Sequence, residues 1–342
     1  MKKEIIRVDS PGLMQAFSRV PYLMYPKGEI PPSAACMDKF NPLNPALEHV
    51  SFANFVALKD SRPVGRITAS VDKLNPRREE GFWGCFECEE DPETAEVLLD
   101  AAAYWLKKKG RSVMVGPATL NTNEQVGLLI KGFAYPPQQD MPYNPPYYQG
   151  IVETCGLDRA HDLECFKWEL PPEIPREMEE IKPLRGLSIR PVNYKALMRE
   201  AGILREFHNS AMSGLWGHIP LTYNDARGFL ESLAQRVPPQ LFLICEVEGK
   251  LAGLLLSIPG RNRDGSMFVR HAVGGIMPEF RKRGIHLHVL KESYKQCHRL
   301  GLTRGEGSQV AESNSAVKKS VINPIFGGET IKVYRVYQKR LY

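Results

Sequence analysis

The chain has 342 residues, a hydrophobic fraction of 43% and a formal net charge of +6. This length exceeds the usual size of a single hydrophobic core, so we expect two domains, and the mixed composition excludes a disordered or fibrous protein. Residues 1–10 lack the apolar segment of a signal peptide, and no apolar run is long enough to span a bilayer. Seven scattered cysteines without scaffold spacing are typical of reduced thiols, so we expect a cytoplasmic protein that does not bind a membrane.

The charge is distributed unevenly along the chain. Residues 181–342 carry 25 Lys and Arg against 12 Asp and Glu, a balance of +13, whereas residues 1–180 carry −7. A basic second half fits an anionic ligand such as a nucleotide, and it also fits RNA. Opposite charges on the two halves are also consistent with docking of one half onto the other.

The first half begins with a strand, a helix capped by Ser10-Pro11, and a proline-rich extended loop over Tyr25–Pro45. Alternating strands and three helices follow, and Gly132–Tyr148 is predicted to be a loop folded over a cleft or an interface. The predicted strands are Ile5–Val8, Phe52–Leu58, Val64–Val71, Gly81–Cys88, Ser112–Val115 and Cys165–Leu170, and the later predicted helices are Ala95–Leu106, Asn123–Ile130 and Tyr148–Cys155.

Cys85 and Cys88 form a C-x-x-C pair within the predicted strand Gly81–Cys88. Residues three apart in a strand point to opposite faces of the sheet. We therefore expect neither a metal site nor a redox pair from these two cysteines, and no metal site elsewhere.

Four prolines amid charges in residues 171–186 indicate a linker, after which the second half repeats the order of the first. Its predicted elements are Leu187–Val192, Tyr194–Ala211, Asn224–Arg236, Leu241–Val247, Leu251–Ile258, Phe268–Ile276, a helix from Ile285, Leu302–Val310, Ser313–Ile325 and Thr330–Arg340. Two copies of one element order indicate an internal duplication. The sequence therefore predicts domains at 1–170 and 187–342, joined by a linker at 171–186.

A strand, a basic turn and a helix follow one another over residues 268–300. The strand ends at Met277-Pro278, the turn is Arg281-Lys282-Arg283-Gly284, and apolar residues then recur at helical spacing from Ile285. The first amides of a helix lack partners and lie at the positive end of its dipole, so this turn is suited to holding a phosphate. The corresponding stretch of the first half, Glu89-Glu90-Asp91, would repel a phosphate.

The spacing Ile276-x-Pro278-x-x-Arg281-x-x-Gly284 resembles the acyl-CoA-binding motif of the GCN5-related N-acetyltransferase (GNAT) superfamily. The resemblance implies an α/β (α+β) fold with a mixed sheet and two tandem GNAT-like domains. It also implies acyl-CoA (acetyl-CoA) as a co-substrate. The match fails at its last position, where the family has Gly or Ala and this chain has His286. A side chain of this size would either crowd the pyrophosphate of coenzyme A or donate to it.

The whole chain resembles a group of bacterial double-domain GNAT-like proteins that carries no settled reaction. The segments behind this resemblance are GFWGCFECEED, Pro142–Pro145 with Tyr147-Tyr148, Leu215-Trp216-Gly217, Glu306 with Glu312-x-Asn314, and Lys332-x-Tyr334-Arg335-x-Tyr337. The first copy then has a structural or substrate-shaping role, and the second copy carries the donor site.

The resemblance also implies which residues bind the donor. Backbone groups at Gly274 and Ile276 would hold the pantetheine arm, and the turn would hold the pyrophosphate through Arg281, Lys282, Arg283, Gly284, Ile285 and His286. Asn314 falls at the position of a donor-contacting residue, although as a helix N-cap it needs no ligand.

In GNAT enzymes an amine attacks the thioester directly, which requires a base and an acid for the thiolate. Glu306 is the first candidate for the base, and its alternative role is a salt-bridged surface carboxylate. His271 is the second candidate, and its alternative role is a core or cleft histidine with its hydrogen bonds satisfied. Tyr334 or Tyr337 is the candidate acid, although residues at this spacing in a strand face opposite ways. Trp216 and His218 are candidates for lining the acceptor pocket, and Trp216 has a plain core role as its alternative.

Three hypotheses of function follow. The first is an N-acyltransferase that moves an acyl group from acyl-CoA to a small-molecule amine, acting as a monomer or homodimer. The second keeps the fold but takes the acyl group from aminoacyl-tRNA, bound by the basic half. The third is a catalytically inactive binding module that kept the fold.

Overall fold

A computed structural model describes residues 3–26, 31–174, 176–261 and 265–342 of the chain. They form two compact units, Met1–Leu163 with Lys332–Tyr342, and Glu164–Ile331. The segment 171–186 lies in the second unit and the last eleven residues lie in the first, so the domain limits derived from the sequence stay a prediction.

The elements up to residue 169 follow the predicted order except near residue 128, where a strand replaces the predicted helix. The strands are β1 Lys3–Arg7, β2 Val50–Lys59, β3 Arg62–Asp72, β4 Glu80–Cys88, β5 Val113–Gly116, β6 Leu128–Lys131 and β7 Asp158–Glu169, and the helices are α1 Pro11–Arg19, α2 Pro21–Met24, α3 Pro92–Lys108 and α4 Tyr148–Thr154. Local caps explain the starts of two of the helices: the Ser10 side chain accepts from Leu13 N, and the Asp91 side chain accepts from Glu93 N.

The remainder of the chain repeats this order. The strands are β8 Leu187–Pro191, β9 Phe242–Val247, β10 Lys250–Arg261, β11 Met267–Ile276, β12 Arg304–Ala311 and β13 Thr330–Arg340, and the helices are α5 Arg176–Glu179, α6 Leu197–Ala211, α7 Tyr223–Ala234, α8 Ile285–Arg299, α9 Ser315–Val317 and α10 Asn323–Phe326. A π-helical turn, Lys318–Ile322, joins α9 to α10, so the predicted helix at 313–325 is present in an irregular form.

The two units share one strand pattern. In the first unit, β1 to β4 are antiparallel neighbours in sequence order, and β4 is parallel to β5. In the second unit, β8 to β11 are antiparallel neighbours in sequence order, and β11 is parallel to β12. The parallel pair is the fourth and fifth strand in each case, which supports an internal duplication.

The helices cover these sheets with apolar faces. In the first unit α3 buries Ala95, Leu98, Leu99, Ala102 and Leu106 completely or almost completely, as their spacing predicts. In the second unit, α8 buries Ile285, Val289, Leu290, Tyr294 and Cys297 in the core. No helix in the described ranges is both long and apolar enough to cross a membrane.

Two predicted elements differ from the structure. Asn123–Ile130 is not a helix but a turn leading into β6, because Gly127 adopts φ +93° and the Asn144 side chain bonds both backbone groups of Leu129. The loop predicted at 25–45 contains a 3-10 segment, Pro32–Phe40, since proline fits the first position of a helical turn.

Residues 171–174 and 176–186, within the predicted linker, contact the rest of the second unit. Met178 is buried, and Ile174, Ile181 and Leu184 contact the core of the unit. The Tyr294 hydroxyl on α8 donates to the carbonyls of Pro171 and Glu173. These contacts fix the segment along α8, the helix that begins at the basic turn.

Candidate active site

The second unit contains an opening between β11 and β12. In the described part of the chain these strands pair only at Val269↔Gly305, Arg270↔Glu306 and His271↔Gly307. Strand β11 nevertheless continues to Ile276, with its other edge bonded to β10. Its last five residues are half-buried.

The basic turn lies directly after this opening. Pro278 ends the strand, a single 3-10 turn covers Pro278–Phe280, and α8 begins at Ile285. Gly284, the residue before the helix, has φ +73°, and Lys282 has φ +62°. These left-handed residues reverse the chain, so that α8 begins at the end of the turn and presents its positive N-terminal end there.

The three cations of the turn have different roles. Arg281 donates from Nε to the Ile276 carbonyl at 3.1 Å and from one terminal nitrogen to the Ala211 carbonyl at 2.9 Å. It therefore connects the turn to the ends of β11 and α6. The Arg283 guanidinium lies 5.2 Å from the centre of the Phe280 ring, and Lys282 is exposed. Lys282 and Arg283 are thus better placed than Arg281 to meet an incoming anion.

His286, where the sequence departs from the family motif, is half-buried in the first turn of α8. Burial, and after it the neighbouring His288, lowers the pKa of this imidazole below its usual value. A neutral ring at physiological pH adds no cation to the turn, and it contributes a single N–H donor.

Glu306 lies on β12 beside the opening and is buried, with 3% of its surface exposed. This burial contradicts the alternative of a salt-bridged surface carboxylate. Its register partner on β11 is Arg270, also buried, so the two side chains project from the same face of the sheet. The Ser308 hydroxyl donates to Glu306 Oε1 at 3.3 Å, and Arg270 donates to the Ser308 carbonyl at 3.3 Å.

His271 follows Arg270 on β11 and so projects from the opposite face to Glu306. Its ring is stacked on Trp168 at 4.8 Å and lies 5.8 Å from the Phe326 ring. Nδ1 lies 2.8 Å from the Ser257 hydroxyl. Burial lowers the pKa of His271 to about 4. These contacts fit the alternative given for His271, a buried histidine whose hydrogen bonds are satisfied.

The remaining candidate residues are divided between the two units. Trp216 and His218 are half-buried in the segment after α6, and His218 Nε2 lies 3.2 Å from the His208 carbonyl. Asn314 caps α9, because its side chain accepts from Val317 N at 3.3 Å. Tyr334 and Tyr337 are both fully buried and belong to the first unit, where the Tyr337 hydroxyl donates to Glu153 at 2.9 Å. The structure thus assembles Glu306 and the turn in one unit and leaves the two tyrosines in the other.

The first unit has a buried ionic network that sequence reasoning missed. Arg66 on β3 and Glu87 on β4 are register partners with 0% and 1% of their surfaces exposed. The Tyr148 hydroxyl donates to Glu87 at 2.6 Å, and the Ser33 hydroxyl also donates to this carboxylate. Burial raises the pKa of Glu87. Arg66 donates to the Ser33 carbonyl at 2.8 Å, so the network fastens the 3-10 segment to the sheet.

Sequence comparison identifies relatives over nearly the full length, while no family model matches the chain. The bacterial ceramide synthase of Caulobacter vibrioides is 31% identical over an alignment of 376 residues, covering 98% of this chain and 97% of the relative. Protein YghO of Escherichia coli is 28% identical, covering 96% of this chain and 93% of the relative.

Comparison with solved structures supports the same fold. A tandem GNAT protein from the clavulanic acid biosynthesis pathway has a TM-score of 0.61 at 12% identity, covering 100% of this chain and 99% of that one. A GCN5-related N-acetyltransferase from Sphaerobacter thermophilus has a TM-score of 0.54 at 13% identity, covering 99% and 96%. At these identities the likeness establishes the fold, and it confirms the tandem GNAT architecture expected from the sequence. With a full-length relative at 31% identity, the chain belongs to the family of tandem GNAT-like proteins that includes the Caulobacter bacterial ceramide synthase.

Proposed function

We propose that the protein is an N-acyltransferase that moves an acyl group from a coenzyme A thioester to a primary amine. The observation that carries the proposal is the opening between β11 and β12, which leads directly to the basic turn at the start of α8. An extended ligand with an anionic end matches this combination. Fold alone does not determine a reaction, so the proposal depends on the site.

The donor is proposed to lie along the free edge of β11. The backbone groups of Gly274 and the backbone N–H of Ile276 would bond the amide groups of a pantetheine arm, since the described pairing of β11 with β12 ends at His271↔Gly307. The Ile276 carbonyl is already occupied by Arg281. The pyrophosphate would then reach the first amides of α8, with Lys282 and Arg283 beside it. Arg281 would hold the turn in position through its two carbonyl contacts.

The transfer itself needs one nucleophilic attack and two proton movements. The amine nitrogen attacks the thioester carbonyl carbon, a C–N bond forms, and the C–S bond breaks to release the thiolate of coenzyme A. We assign Glu306 as the base that receives the proton of the attacking nitrogen, directly or through one water. The thiolate takes up a proton as it leaves, and the assignment of Tyr334 or Tyr337 as its acid stays a prediction.

The class of amine is suggested by the Caulobacter relative. Ceramide, the product in its name, is an N-acylated long-chain amino alcohol. We therefore propose a long-chain amino alcohol as the acceptor and a long-chain acyl group on the donor. The segment with Trp216 and His218 follows Ala211, to which Arg281 bonds, so these candidate acceptor residues come directly after the anchoring point of the donor turn.

The test combines donor binding with product formation. Calorimetric titration with acetyl-CoA and with a long-chain acyl-CoA measures donor affinity, and mass spectrometry detects N-acylation of sphinganine. The double variant Lys282→Glu/Arg283→Glu is expected to weaken binding at least tenfold, because two cations near the pyrophosphate become anions. The matched control is Lys295→Glu/Arg299→Glu, which makes the same charge change at exposed positions further along α8.

The role of Glu306 is tested separately with Glu306→Gln. We expect turnover to fall roughly 10²-fold or more while donor affinity changes little, as for removal of a general base. Equal loss of affinity in both charge-reversal variants would refute the placement of the donor at the turn. Full turnover in Glu306→Gln would refute the base assignment, and absence of acyl-CoA binding by the unmodified protein would refute the donor class and direct the search to aminoacyl-tRNA.

A further inference from the structure

A small cavity of about 50 Å³ lies in the first unit, beyond the point where β4 and β5 cease to pair. The last register pair of these strands is Phe82↔Val115, and β4 continues to Cys88. The cavity is lined by β4 residues Cys85 and Glu87, by Thr119 after β5, and by Cys36 from the 3-10 segment Pro32–Phe40. It is large enough for water or a small polar molecule.

Cys36 and Cys85 meet at this cavity although 49 positions separate them in the chain. Both residues pack with Phe17 in one buried cluster. Only 2% of Cys36 and 6% of Cys85 is exposed, so the cavity is the route by which a small reagent would reach them. The cysteine that meets Cys85 is therefore Cys36 and not Cys88, the other cysteine of the C-x-x-C spacing.

The surroundings of the two thiols are unequal. Burial raises the pKa of Cys85, but the Cys36 thiol and then the Arg66 guanidinium lower it, and the net pKa lies below the ordinary value. Burial raises the pKa of Cys36 well above its ordinary value. A thiolate is the reactive form of cysteine, and a neighbouring cation favours it.

The backbone at Cys85 supports a special role for this residue. Its φ of +46° lies in the left-handed region, within a strand whose register with β3 shifts between Arg66 and Thr68. A non-glycine residue in this conformation is strained, and strain of this kind gathers at functional positions. Cys85, at this irregular position, lines the cavity together with Cys36.

We infer that Cys36 and Cys85 form a redox-active pair that hydrogen peroxide converts to a disulfide. The Cys85 thiolate attacks one peroxide oxygen, the O–O bond breaks, and Cys85 becomes a sulfenic acid with loss of water after proton uptake. The Cys36 sulfur then attacks the Cys85 sulfur and releases a second water as the S–S bond forms. Two thiols and one peroxide thus yield one disulfide and two waters.

The bond would fix the 3-10 segment Pro32–Phe40 to β4. Ser33 in the same segment already bonds Glu87 and Arg66 through its hydroxyl and carbonyl. Oxidation would therefore add a covalent link to an existing polar attachment and close the cavity. The loop closed by the bond would constrain the unfolded chain, so the melting temperature should rise on oxidation.

The experiment uses the full chain treated with hydrogen peroxide over a concentration series. Remaining thiols are blocked at acidic pH with N-ethylmaleimide, and the protein is digested without reduction for mass spectrometry. We expect a linked Cys36–Cys85 peptide about 2 Da lighter than its two reduced parts together, with Cys165, Cys245 and Cys297 still blocked as thiols. The melting temperature should rise in the same samples and return after reduction.

Two variants separate the roles of the thiols. Cys36→Ser should allow dimedone to label Cys85 as a sulfenic acid, whereas Cys85→Ser should leave Cys36 unlabelled. Cys155→Ser removes the half-exposed cysteine and should leave the linked peptide unchanged. Oxidation of Cys155 with Cys36 and Cys85 both intact in the unmodified protein would overturn the inference, and so would sulfonic acids without a linked peptide. The first of these two outcomes is measured on the unmodified protein, so it does not depend on whether a variant folds.

Discussion

His271 should make the stability of the protein fall in mild acid. Burial holds its pKa at about 4 in the folded state, against about 6.5 for a histidine in an unfolded chain. The unfolded chain therefore binds the proton more tightly. The stability contributed by the neutral ring is fully present above about pH 6.5 and is lost as the pH falls toward about 4.

The size of the effect follows from the difference between the two pKa values. Between about pH 8 and pH 5, the free energy of unfolding should fall by about 2 kcal/mol on account of this ring. His208 on α6, whose pKa burial also lowers to about 4, should contribute a similar loss. His271→Asn removes the titration and keeps a polar atom near the Ser257 hydroxyl, so the variant should lose about 2 kcal/mol less than the unmodified protein over this pH range.

Urea unfolding at several pH values measures this difference, and the comparison uses the pH dependence of each protein instead of its absolute stability. His208→Asn serves as the parallel variant, and the double variant should show the sum of the two effects, since the rings occupy separate places in the fold. An unchanged pH dependence in His271→Asn would refute the argument that the buried ring is neutral in the folded state.

Two further predictions concern the opening and its turn. Arg281→Ala should lower the free energy of unfolding by about 1–2 kcal/mol, because two charge-assisted bonds to the Ile276 and Ala211 carbonyls are lost. Arg283→Ala loses only the contact with a ring and should cost about 0.5 kcal/mol in urea unfolding. Equal costs would show that Arg281 is not an anchor. Gly305→Ala should lower the free energy of unfolding by at least about 2 kcal/mol in the same assay, because the added methyl would overlap a carbonyl of β11 and the Trp168 ring. A variant that unfolds at the same urea midpoint as the unmodified protein would contradict this close approach of β11 and Trp168 to Gly305.

Periodicity and turn residues predict most of the fold, because strands and helices depend on local patterns. The strand at 330–340 and the helix after Asp91 are found where the sequence places them. The predicted helix at 123–130 fails because Gly127 and the Asn144 side chain favour a turn and a strand there, and Asn144 is distant in sequence. Local helix propensity takes no account of a hydrogen-bond partner from another part of the chain.

The candidate site was predictable to a smaller extent. The basic turn could be found because its residues are contiguous. The roles of individual side chains depend on neighbours from other elements: the Ala211 carbonyl receives Arg281, and the rings of Trp168 and Phe326 enclose His271. Cys36 and Cys85 could not be paired from the sequence, since 49 positions separate them and no local pattern connects them.

The position of β13 has a consequence for synthesis of the chain. Its residues Tyr337–Arg340 pair with β5, and residues 332–342 belong to the first unit. The ribosome must therefore make all of residues 164–331 before the first unit can be completed, and the unit made later is able to finish folding earlier. A nascent chain stalled at residue 331 would expose the edge of β5, which makes this interval the stage most exposed to mispairing and to chaperone binding.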